Sequence, residues 1–168
     1  TQLKGKAWYR QQIIEYTTLD LDPGAIHQLG LEQVAKIHAE MVKTMQASGF
    51  KGSFAEFLKF LRTDPQFHAK TPEELLMRSA WVANQVDGQL GKFFGRLPRQ
   101  RFAIVPVAPD IAPYYTSGRG GASAYLVNTY DLPSRPLYNV AALTLHESAP
   151  GHSLQLALAA EQKGQPAF

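Results

Sequence analysis

Pro150-Gly151 falls inside a long apolar stretch, between two histidines that lie six residues apart at His146 and His152. The flanks are those of a buried helix. Leu137, Val140, Ala141, Leu143, Thr144 and Leu145 come before, and Leu154, Leu156 and Leu158 come after. In an uninterrupted helix an offset of six means about 240° of rotation and about 9 Å of rise, so the two rings would point apart. The sequence supplies its own interruption. Proline has no N–H, and its ring collides with the carbonyl four residues back, here that of His146. Gly151 adds backbone freedom. The expectation is a local bulge that absorbs the extra residues and returns His152 to the face of His146.

The intervening residue types give this geometry chemical meaning. Glu147 would be costly in so apolar a run unless partnered. Two imidazoles flanking a carboxylate resemble the H-E-x-x-H arrangement, in which the histidines hold zinc and the Glu activates water. Here the motif carries two additional residues: His146-Glu147-Ser148-Ala149-Pro150-Gly151-His152. His146 and His152 are the candidate zinc ligands, and Glu147 is the candidate general base.

The stretch resembles the H-E-x-x-P-G-H signature of the bacterial domain-of-unknown-function 885 family, regarded as zincin-like metallopeptidases. The resemblance extends to Asp22-Pro23-Gly24-Ala25-Ile26-His27-Gln28-Leu29-Gly30, to Tyr125-Leu126-Val127-Asn128-Thr129-Tyr130 and to Ser134-Arg135-Pro136. It spans nearly the whole chain and is most specific from about Gly118 to Gln155. It implies a zinc-dependent hydrolase of peptides and a longer parent protein, of which these 168 residues are a fragment. It also implies a bacterial protein, periplasmic or secreted, whose third zinc ligand is a Glu on a later helix. Two departures follow. Ser153 stands where the family usually has a second His, which on this reading alters only the surroundings of the metal. Glu161 is the only carboxylate after the motif and reads as a solvated surface residue, so the third ligand is expected beyond Phe168.

Elsewhere the chain divides by texture. Residues 1–95 read as helices: one ending near Leu19, one from Asp22-Pro23 to Gly49, a short one capped by Ser53, and one from Thr71-Pro72 to about Gly95. Their Phe, Met and Trp positions are expected in the core. His27, His38 and His68 are given no ligand role. Residues 96–168 hold two short strands, near Phe102–Val107 and Ala122–Tyr130, then the motif helix. Tyr114 to Gly121 between them reads as a flexible glycine-rich loop. The fold class is therefore mainly α with a small β element (α+β), both regions belonging to one incomplete catalytic domain. Tyr125 to Tyr130 is the candidate edge strand for pairing with an extended peptide. Arg119, Tyr115, Tyr125 and Asn128 are candidate substrate contacts, Arg119 for a carboxylate and a tyrosine for an oxyanion.

Composition closes off other classes. With 17 basic against 14 acidic residues the net charge is only +3, and its one local cluster is Arg96, Arg99 and Arg101, which argues against nucleic acid as a partner. No Cys is present, so thiolate metal sites are excluded. No apolar run reaches membrane-spanning length. The expected partners are a peptide or small-molecule substrate and the remainder of the parent chain. Two alternatives remain: a helical binding or scaffold module whose kink is structural, and a metal-dependent hydrolase of non-peptide amides or esters.

Overall fold

A computed structural model describes residues 4–164; Gln165-Pro166-Ala167-Phe168 lie outside them. The chain forms two compact units, Thr1–Phe57 and Leu58–Phe168. The fold is mainly α with a small three-stranded sheet.

The first unit holds α1 (Gly5–Thr17), α2 (Pro23–Ala47) and the start of α3 (Phe54–Thr63). Local chemistry sets their ends. The Asp22 side chain accepts from the Gly24 and Ala25 N–H groups at 2.8 and 3.1 Å, with Pro23 at the first helical position. Ser53 and Glu56 form a reciprocal cap: Ser53 N–H donates to Glu56 Oε2 at 2.7 Å, and Glu56 N–H to Ser53 Oγ at 3.3 Å.

The second unit carries α4 (Pro72–Asp87), β1 (Ala103–Pro106), β2 (Gly118–Gly120), β3 (Ala124–Val127), α5 (Val140–Glu147) and α6 (His152–Ala160). Thr71 caps α4, its hydroxyl accepting from Glu74 N–H. The helix stops at Asp87 rather than near Gly95, and a 3-10 turn at Leu90–Lys92 follows. Gly88, Gly91 and Gly95 supply the reason, since each weakens helix propagation.

The sheet order is β1-β3-β2, with β1 parallel and β2 antiparallel to β3. This corrects two expectations. The glycine-rich segment is a strand, and Tyr125–Val127 is the central strand, so the edge beside the motif is Gly118-Arg119-Gly120. Pro106 sits on the opposite edge strand, where a missing N–H is tolerated.

Tyr125 and Val127 point into a core with Ala69, Leu75 and Val140. A second cluster of Leu90, Ala149 and Leu154, with Phe94, Phe102 and Leu158 packed on it, anchors the chain just before Pro150 through Ala149. The expectation that the Phe, Met and Trp positions of the helical region are core is corrected on the helix exteriors. Met45 is buried, but Trp8, Met41, Met77, Trp81 and Phe93 are exposed. Met77 and Trp81 line an open groove of about 590 Å³ with Leu137 and Ala141. α4 turns its other face, carrying Leu75, Ser79 and Ala83, inward. No helix among the described residues is long and apolar enough to cross a membrane.

Candidate metal centre

The motif is two helices, not one bulged helix. α5 ends at Glu147 and α6 starts at His152, so the break replaces the expected bulge while achieving the same convergence. The rings of His146 and His152 lie with centroids 4.9 Å apart and planes at 87°. His146, Glu147 and His152 each offer a ligand atom within 4.8 Å of the others.

A break inside an apolar segment leaves backbone groups at two helix ends to satisfy. Here they are largely met locally. Gly151 N–H donates to Leu145 O at 3.0 Å. Ser148 N–H and its hydroxyl both donate to Thr144 O. Ser148 O in turn accepts from Ser153 N–H at 2.9 Å and, more loosely, from Leu154 N–H at 3.4 Å, which caps α6. The Ala149–Pro150 peptide is cis. Gly151 is required by space rather than by its φ of −78°, because a Cβ there would lie 1.8 Å from His146 O.

β2 closes over this break. A Cβ on Gly120 would lie 1.9 Å from Glu147 O and 2.8 Å from the Cβ of His152. A Cβ on Gly118 would meet the Tyr125 ring at 2.7 Å. The glycines therefore let a strand edge touch the helix junction. Gly120 N–H donates to Glu147 Oε2 at 2.6 Å, and the Ser153 hydroxyl donates to Gly121 O at 2.7 Å.

The carboxylate is buried, 8% exposed, whereas His146 is exposed and the side chain of His152 is 43% exposed. Glu147 Oε2 also lies 3.9 Å from His152 Nε2. Two imidazoles and a carboxylate, with no thiolate, are a donor set that zinc accepts. Ligand atoms of a tetrahedral zinc are roughly 3.3 Å apart, so donors within 4.8 Å need only small side-chain rotations to close on one ion. Among the described residues no further His, Asp or Glu joins the cluster.

The whole chain, residues 1–168, matches the family described as "Bacterial protein of unknown function (DUF885)". The chain belongs to this family. A solved structure titled "The crystal structure of the putative lipoprotein from Colwellia psychrerythraea" is similar, with 27% identity and a TM-score of 0.85 over 96% of this chain. The present chain spans 30% of that Colwellia chain. No curated protein matches.

Within this DUF885 chain the remaining candidates fall in different places. Arg119 is exposed and pairs with Leu126, so alternation puts its side chain on the sheet face opposite Tyr125 and the helices. No ion pair engages it among the described residues. Tyr125 is only 1% exposed, so it packs the core instead of facing an oxyanion. Burial pushes its phenol up to about 12; the nearby Thr144 hydroxyl opposes this and the Glu147 charge adds to it. Asn128 has no exposure. Its amide donates to the carbonyls of Ala112, Tyr115 and Thr116, and its Oδ1 accepts from Tyr130 N–H, so it builds the loop before β2. Tyr115 is half-buried in that loop.

Glu161 is a correction. It is not simply solvated: Arg99 N–H donates to it at 2.6 Å and Arg96 pairs with it at 3.2 Å, while Arg101 pairs with Asp87. These contacts also neutralise much of the arginine cluster. The residues that sequence reasoning missed are Gly120, Gly121 and Ser148. Three glycines in four positions are the available signal, which suits a flexible loop and a close backbone approach equally.

Proposed function

We propose that this chain carries the motif part of a zinc-dependent peptidase site, with His146 and His152 as ligands and Glu147 as general base. The convergence of two rings six residues apart, through a break whose backbone groups are locally bonded, is the observation that carries the reading. Zinc, when bound, supplies a Lewis acid that eases deprotonation of water and polarises a carbonyl. Glu147 takes the proton from the attacking water and delivers it to the leaving amine. Gly120 N–H holds one carboxylate oxygen, and Oε1 has no hydrogen-bond partner among the described residues, so it is the atom free to accept that proton.

The substrate is a peptide lying extended beside β2, the edge strand next to the motif, with Gly120 N–H already held by Glu147. The remaining zinc ligand comes from outside residues 4–164, since only three donors converge here and one is assigned as base. The lipoprotein title of the Colwellia relative supports an extracytoplasmic location in a bacterium.

Hydrolysis of a mixed peptide pool by the zinc-loaded parent protein and by its Glu147→Gln variant tests this reading. Cleavage that falls at least about a hundredfold in the variant while zinc stays bound supports it. Equal cleavage by both proteins refutes the role of Glu147. Cleavage of ester or non-peptide amide panels alone moves the assignment to a different hydrolase.

A further inference from the structure

We propose that Ser153 is a positioning residue for the His146, Glu147 and His152 cluster, a role that rests on the metal reading above. Ser153 follows His152 directly in the first turn of α6 and is 2% exposed. Its hydroxyl donates to Gly121 O at 2.7 Å, 32 residues away, and lies 3.3 Å from Glu147 O. Its N–H donates to Ser148 O across the break. One small residue in the first turn of α6 thus touches the end of β2, the last residue of α5 and the connector between the helices.

The consequence for His152 is geometric. α6 is only nine residues long and starts at the ligand itself, so little of the helix precedes His152 to fix its rotation. The Ser153–Gly121 bond sets that rotation against β2. The neighbouring Gly120 N–H sets Glu147 against the same strand. Consecutive residues of β2 and its end therefore hold the base and a ligand in register. Loss of the hydroxyl takes this partner from the half-buried Gly121 O, and α6 is then free to turn about its start. Groups that orient ligands in this way typically govern metal affinity by about 10–100-fold.

Ser153→Ala is compared with Ser79→Ala, which removes an equally buried hydroxyl bonded to a backbone carbonyl, that of Leu75, on α4. Three readouts are taken on the longer parent protein that supplies the remaining ligand: the urea midpoint, Zn²⁺ affinity by competition with a chromophoric chelator, and the visible spectrum of the Co²⁺ form. The expected result is zinc binding weakened about tenfold or more and an altered Co²⁺ spectrum in Ser153→Ala alone. Ser153→Cys, which keeps the size and weakens the donor, falls between wild type and Ser153→Ala, and stands in for it should Ser153→Ala not fold. Zinc affinity within about twofold of wild type and an unchanged Co²⁺ spectrum overturn the proposal. A wild type that takes up no Zn²⁺ overturns the metal reading itself, an outcome distinct from a wild type and a variant that bind equally well.

Discussion

Gly120 N–H donates to Glu147 Oε2 at 2.6 Å, joining a strand edge to the end of the motif helix across 27 residues. The contact exists because residue 120 has no side chain: the backbone of Glu147 occupies the place where a Cβ would stand. The glycine and the carboxylate therefore form one structural unit, and the strand belongs to the site as much as the helix does.

Gly120→Ala should accordingly be costly. Its Cβ would meet backbone, which cannot swing aside, so the strand and helix must part, at about 1–3 kcal/mol or more. Gly121→Ala is the control, because its nearest neighbour would be Ala124 O at an ordinary 3.5 Å. Urea denaturation should separate them clearly. Equal midpoints for the two variants would show that the close approach at Gly120 is not maintained in solution.

Gly151→Ala tests the break itself. A Cβ 1.8 Å from His146 O forces the connector to rearrange and moves His152 away from His146. The expectation is loss of about 1–3 kcal/mol together with loss of zinc uptake. Gly91→Ala, with nothing within 4 Å of its Cβ, should change neither. Retention of wild-type zinc affinity in Gly151→Ala would mean the two rings converge by another route.

How much of this was legible follows from range. Asp22-Pro23, the Ser53 cap and Thr71-Pro72 are legible because a cap is a contact over two or three residues, although the reciprocal Glu56 contact is seen only in the fold. The Pro150-Gly151 interruption was legible for the same reason, although its form was not: closing two helix ends with Ser148 and Leu145 carbonyls is a matter of three-dimensional bookkeeping that spacing does not reveal. Gly118–Gly120 reads as a loop in sequence because turn glycines and close-packing glycines look alike there. What distinguishes them here is Glu147, 27 residues away. The burial of Tyr125 and Asn128, both offered as substrate contacts, likewise depended on which strand is central.

Glu161 makes a pH prediction. Arg99 N–H, and then the Arg96 guanidinium, hold its carboxyl below the ordinary carboxylate range. A carboxylate whose folded pKa is depressed contributes stability above its unfolded pKa of about 4.3 and loses that contribution as pH falls through the lower folded value. The melting temperature of wild type should therefore drop relative to Glu161→Gln only in this acid window. The difference should be small and should shrink with added salt, because Glu161 and Arg96 both meet solvent. Parallel curves for the two proteins from neutral pH to about pH 3 would contradict the assignment.

The central claim is that His146 and His152 share a metal ion across a broken helix. Its most direct test is zinc per chain after chelation, reloading and gel filtration, for the longer parent protein that supplies the remaining ligand and for its His146→Ala and His152→Ala variants. The account predicts about one zinc per wild-type chain and almost none in either variant, with folding retained. No zinc in wild type, or wild-type uptake in both variants, would contradict it and leave the Pro-Gly segment as a kink in a helical scaffold.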